Sequence, residues 1–318
     1  MIAAGPDQAP CELPGRLIDT YASVSAGNTR AQEKLIAVLM EFRAHGIDSL
    51  LLKGADVLSR LYGILGIRPM ADLDLLVRER DLPAIDGVLI GLGYKPAIDG
   101  NPAYVAPDDS LILDLITNIW YADDTETIWQ RVVERNMAGL PVKGMGSDDL
   151  LVYLVAYSVL NRGYFPPTFS RDIALLVGKE PLNWEFIVDE AIRRNLKITL
   201  HHGLSYVVQQ AAVPIPEGVL TRLAPSATSE RALAFMFRKL VTQAPVDGMG
   251  HFLLLLSVPG AKRWRRLRQA FWPEQAFLKY RYGERGETFP VRTRLARAVN
   301  LTIQAHRLLG KILYRLAT

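Results

Sequence analysis

Two stretches, Leu51-Leu52-Lys53-Gly54-Ala55 and Arg68-Pro69-Met70-Ala71-Asp72-Leu73-Asp74-Leu75-Leu76-Val77, decide how this chain is read. Each holds a short apolar run that suits a buried strand, and glycines break the chain between them. Asp72 and Asp74 are two positions apart, and in a strand such residues point to the same face. Both carboxylates therefore project together, while Leu73, Leu75 and Val77 turn into a core. Neighbouring carboxylates repel each other, and burying one alone is costly. A divalent cation resolves the conflict. Mg2+, with Mn2+ as the substitute ion, takes oxygen ligands and is held by one or two carboxylates plus phosphate oxygens.

A third acid, Asp114, lies in Ser110-Leu111-Ile112-Leu113-Asp114-Leu115-Ile116, again an apolar strand pattern. If that strand lies beside the Asp72/Asp74 strand, three carboxylates converge, as a two-metal phosphoryl or nucleotidyl transfer requires. Asp114 is then the candidate to receive the proton of an attacking hydroxyl. Asp108, Asp109, Asp123 and Asp124 compete with it as the third acid. Gly54 falls at a strand-to-helix turn, where backbone N–H groups approach a phosphate and the helix beginning at Ala55 adds its partial positive charge. Lys53 and Arg68 are the nearby cations for a triphosphate. The plainer alternatives are a structural turn or salt bridge for the Asp-x-Asp pair, and for Lys53 a sheet-edge or ion-pair role.

Outward from these stretches, Pro6, Pro10 and Pro14 and the lack of periodicity make residues 1–20 a loose leader. Leu35, Val38, Leu39 and Phe42 recur at helical spacing from Thr29 to Ala44, with Gly46 as a stop. Further expectations are a strand over Ser49–Lys53, a helix over Ala55–Tyr62, a strand over Leu73–Val77, and a helix over Asp81–Leu92 capped by Asp81. Strands over Tyr94–Ile98, Ala103–Ala106 and Leu111–Ile116 complete an α-β-α-β-α-β-β-β order, a mixed domain over 21–144. A helical domain over 145–250 starts at Ser147-Asp148-Asp149. It contains helices near Asp172–Val177, Trp184–Arg194, Ile198–Ala212 and Glu230–Thr242.

Residues 251–318 form a basic C-terminal segment. From Lys262 onward there are 14 Lys and Arg against 3 Asp and Glu, a net +11, while the rest carries 23 against 30, a net −7. Such a split suggests an anionic partner, or a segment folded back on its own acidic body. Within it, Trp264 among five cations suits a nucleic-acid surface, or an amphipathic helix that buries its tryptophan. The single cysteine, Cys11, forms no internal disulfide and no multi-cysteine zinc site, which fits a reducing cytoplasm. The most apolar run, Phe252 to Val258, falls far short of the ~20 residues of a membrane span. His201 and His202 face different directions on a helix and make a poor metal pair. P-loop, dinucleotide-turn, nucleophile-elbow and zincin motifs are absent from the sequence.

Lys53-Gly54, Arg68 ahead of Asp72-x-Asp74, and a later strand aspartate together resemble the uncharacterised nucleotidyltransferase family of the polymerase-β-like superfamily. Ser170-Arg171-Asp172-Ile173-Ala174-Leu175-Leu176 and Leu182-Asn183-Trp184 are similar to that family's helical region. The likeness covers about 30 to 215. It implies an α+β fold: a polymerase-β-like domain with a mixed sheet, followed by an α-helical domain and the basic segment. It also implies metal ligation and catalysis by Asp72, Asp74 and Asp114, and nucleotide binding by Lys53, Gly54, Ala55 and Arg68. The donor is an NTP, with ATP expected. The acceptor is a small molecule, a peptide or an RNA end, and the helical domain forms the other wall of the cleft. Two positions depart from the pattern: Ala55 replaces the usual Ser or Gly, and Ile116 replaces a histidine frequent two residues after the third acid. These departures leave open a second reading, an inactive adaptor that binds an acidic partner through its basic segment.

Overall fold

The computed structural model describes residues 15–98, 101–122, 124–211, 213–241 and 244–317. Residues 1–14 of the expected leader, and Asp123, lie outside these. The chain forms two compact units: one runs to Ile119 and resumes over Thr125–Met145, the other comprises Trp120–Asp124 and continues from Gly146.

The first unit runs α1 (Gly15–Ala44), β1 (Ser49–Leu52), α2 (Lys53–Val57), a π-helical turn (Leu58–Tyr62), β2 (Asp72–Val77), α3 (Leu82–Gly91), β3 (Lys95–Ala97), β4 (Ala103–Val105), β5 (Ile112–Ile116), α4 (Glu126–Trp129), β6 (Val133–Met137) and β7 (Leu140–Gly144). The seven strands form one mixed sheet in the order β3-β4-β5-β2-β1-β7-β6. β2 lies near its middle, antiparallel to β1 and parallel to β5. One sheet face carries Leu51, Leu73, Leu75, Val77, Leu113 and Leu115 into a core shared with Leu35, Val38 and Phe42 of α1 and with Ile85 and Leu89 of α3. The period-2 alternation of β2 and the helical stripe of α1 meet here.

Several expectations are corrected. α1 begins at Gly15, so residues 15–20 are helical. They are exposed, and the missing apolar stripe reflects that exposure. β1 stops at Leu52, and Lys53 opens α2 with a left-handed φ of 45°. Asp81 makes no side-chain cap, because a short 3-10 turn over Glu79–Asp81 leads into α3. The hairpin β6–β7 had no apolar alternation to announce it: β6 is a polar edge strand and β7 contains Pro141. Ala138 and Gly139, with φ of 49° and 89°, form its turn, and Asn136 Oδ1 accepts from the Gly139 N–H at 2.8 Å.

The second unit runs α5 (Ser147–Ala156), a π-helical turn (Tyr157–Arg162), α6 (Pro167–Lys179), α7 (Trp184–Arg193), α8 (Lys197–Ala211), α9 (Glu217–Leu223), α10 (Thr228–Leu240), α11 (Met249–Ser257), α12 (Gly260–Phe271), α13 (Gln275–Tyr282), α14 (Glu284–Thr288) and α15 (Pro290–Ala317). α9 was not expected from the sequence. Among the described residues no helix is long and apolar enough to cross a membrane.

His202 on α8 is half-buried, edge-on against Phe237 of α10, with ring centroids 5.8 Å apart. Burial, then the charge of neighbouring His201, lowers its pKa from 6.5 to about 4. Between those values the unfolded chain binds a proton and the folded chain does not, so stability rises with pH through this window and is complete above 6.5. Acidification to the lower end is expected to cost about 3 kcal/mol. Urea midpoints at both ends of the window check this; His202→Leu should flatten the dependence, and an unchanged slope in that variant would assign it to other groups.

Candidate active site

The register of β2 against β5 pairs Asp72 with Ile112 and Asp74 with Asp114. Asp74 and Asp114 therefore lie side by side on neighbouring strands, and Asp72 lies two residues along on the same face. Each of the three carboxylates offers an oxygen within 4.8 Å of the other two. Asp74 is 2% exposed, while Asp72 and Asp114 are half-buried. Of the acids that competed for third place, Asp108 instead bonds Lys34 at 2.8 Å.

Lys53 and Asp74 form a buried pair, Nζ to Oδ1 at 2.5 Å. The left-handed turn at Lys53 delivers its ammonium to the carboxylates, beside the β1 residue Leu52 that pairs with Asp74. Gly54 also meets a packing requirement. A Cβ there would lie 2.7 Å from Arg68 Nη1, so the missing side chain makes room for a buried guanidinium. Ala55 packs into the hydrophobic core. Lys53 and Arg68 thus bring two cations against the turn, and Ala55 supports it from behind.

Two residues the sequence reading missed hold this arrangement. Asn28, 1% exposed on α1, donates from Nδ2 to the carbonyls of Leu65 and Arg68 at 2.6 and 2.8 Å and accepts from the Met70 N–H at 3.1 Å. It clamps the segment that carries Arg68 into β2. The sequence signal was an amide on the apolar side of a helix. Asn28→Leu is expected to destabilise the protein by about 2–4 kcal/mol, since three bonds go and loop groups stay buried. Urea denaturation measures it, and near-wild-type stability would mean the loop holds itself. Asp56 on α2 is fully buried between Arg60, 3.6 Å away, and Arg135 of β6. It ties the Lys53 turn to the hairpin β6–β7, which is why an unremarkable polar hairpin matters here.

The donor set suits a hard divalent cation: three carboxylates, with no thiolate or imidazole among them. A cavity of about 380 Å3 lined by Arg43, Asp48, Glu134 and Lys143 contains none of the three acids. Its Lys143 and Asp48 already pair at 2.7 Å, and that pair lowers the Asp48 pKa.

Among solved structures, the chain is similar to the antibiotic-resistance factor ANT(2'')-Ia in solution. Identity is 17% and the TM-score 0.42, over 56% of this chain and 99% of that one. A crystal structure of ANT(2'')-Ia with adenylyl-2''-tobramycin matches at 14% identity and a TM-score of 0.40, over 52% and 97%. An antigenic nucleotidyltransferase-like protein from Paracoccidioides brasiliensis matches at 16% and 0.40, over 65% and 92%. No curated protein matches the chain. A family model described as uncharacterised nucleotidyltransferase matches residues 2–210, and the chain belongs to that family.

Proposed function

We propose that this nucleotidyltransferase moves a nucleoside monophosphate from an NTP, with ATP as the expected donor, to a hydroxyl-bearing acceptor. The observation that carries the reading is the Asp74–Asp114 pairing, which assembles three carboxylates from two strands. Asp72, Asp74 and Asp114 would hold Mg2+ or Mn2+. The ion supplies charge neutralisation on the phosphates and acidifies the attacking hydroxyl when bound.

The residues of the chain do the rest. Asp114 takes the hydroxyl proton as the acceptor oxygen bonds to the α-phosphorus. The bond from that phosphorus to the bridging oxygen breaks, and pyrophosphate leaves with the electron pair. Lys53 and Arg68 offset the charge gathering on the pyrophosphate. Asn28 and Asp56 keep the turn and its cations in position without touching substrate. The departures at Ala55 and Ile116 leave these roles intact, since neither position supplies a carboxylate or a cation.

Calorimetric titration of each NTP into the protein with Mg2+ tests the proposal. The expected result is Mg2+-dependent binding of an NTP, strongest for ATP. Folded protein that binds no NTP would overturn it and favour the adaptor reading.

A further inference from the structure

α12 and α15 carry charge of one sign only: five Lys and Arg on α12, six on α15, and no Asp or Glu on either. α15 is fastened to its unit along one side. Thr293 and Ile312 are buried, and the helix packs against α10 and α12. Arg294 and Arg297 donate to the carbonyls of Pro273 and Ala270 at 3.0 and 2.9 Å, and Arg315 to that of Leu240 at 2.9 Å.

The opposite side is apolar too. Val291, Leu295, Val299 and Ile303 follow at four-residue spacing, and Leu309 and Leu313 return to the same arc. All six are 47–62% exposed. A helix in a bundle needs one apolar face, and a second, exposed one marks an interaction surface. Arg292 is exposed within this arc and Arg307 beside it. On α12 the tryptophan is not buried as an amphipathic reading would have it. Trp264 is 74% exposed and shares a face with Arg268 and Phe271.

We propose that α12 and α15 form a docking face for an anionic lipid bilayer. The aliphatic arc and Trp264 enter the boundary between headgroups and acyl chains, while Arg268, Arg292 and Arg307 meet lipid phosphates. Charge selects this occupant. A second copy would oppose cations to cations with no acid to pair them. A nucleic acid would engage the cations and leave six aliphatic side chains in water. A bilayer satisfies both, and the inference is independent of the catalytic reading.

The test is co-sedimentation of the full chain with vesicles of phosphatidylcholine alone or mixed equally with phosphatidylglycerol. Binding to the mixed vesicles is expected to be at least about tenfold stronger, and to weaken with salt. Val299→Gln with Ile303→Gln should reduce it about tenfold. Arg268→Gln, Arg292→Gln and Arg307→Gln together should reduce it about 100-fold. All five positions are exposed, so an unchanged melting temperature is expected and confirms folding. Absence of binding to anionic vesicles overturns the proposal. So does binding unaffected by the Val299 and Ile303 substitutions, which would be phosphate attraction alone. RNA binding in place of vesicle binding overturns it as well, as does a dimer abolished by those substitutions without vesicle binding.

Discussion

Asp72→Asn is expected to lower nucleotidyl transfer by about 10³-fold or more while leaving the protein folded. The change removes one of three carboxylate charges whose ligand oxygens lie within 4.8 Å. A divalent ion contributes several kcal/mol of charge stabilisation in such reactions. Losing about 4 kcal/mol of it corresponds to about a thousandfold in rate. Stability should move the other way. The three acids repel one another, and the amide relieves part of that repulsion at a half-buried position. The melting temperature without metal is therefore expected to hold or rise. Mg2+ should raise the melting temperature of the native chain, because a ligand bound only by the folded state stabilises it by about 2.7 kcal/mol at a hundred times its dissociation constant. In the variant that rise should largely vanish. The measurements are transfer of label from α-labelled NTP and melting with and without Mg2+. Full activity in a folded variant would remove Asp72 from the mechanism.

Lys53→Met is expected to produce a larger stability loss than Asn28→Leu. Lys53 is 9% exposed and Asp74 only 2%, and their charges meet at 2.5 Å. Removing one partner of a buried pair leaves the other charge desolvated, at a cost of about 3–5 kcal/mol. Here the remaining carboxylate also faces Asp72 and Asp114, which adds to the loss. Mg2+ should recover more stability in the variant than in the native chain, because the cation replaces the missing positive charge. Urea denaturation with and without Mg2+ reads both effects. A loss under about 1 kcal/mol would mean that Asp74 is held by other neighbours.

Much of the site could be read from local pattern. Leu73, Leu75 and Val77 alternate with Asp72 and Asp74, and a period of two admits one outcome: carboxylates on one face, core on the other. Asp114 carried the same signature between Leu113 and Leu115. What failed to register was whatever lacked a periodic apolar signal. The first turns of α1 are exposed, β6 is a polar edge strand, and Asn28 and Asp56 are single polar residues whose partners lie far along the chain. The exposed apolar arc of α15 was hidden for the opposite reason. A sequence shows that leucines recur at helical spacing, but not which of two apolar faces the rest of the chain covers.

The sequence by itself determined the carboxylate pair, the strand that bears it and the cations nearby, because side-chain direction along a strand follows from backbone geometry alone. Only the tertiary structure decided that β5 lies parallel to β2 in a register placing Asp114 against Asp74. It also decided that Lys53 pairs with Asp74 and that Gly54 yields its space to Arg68. Those outcomes depend on strand order and on which buried charges meet, and both are settled by packing between segments distant in the chain.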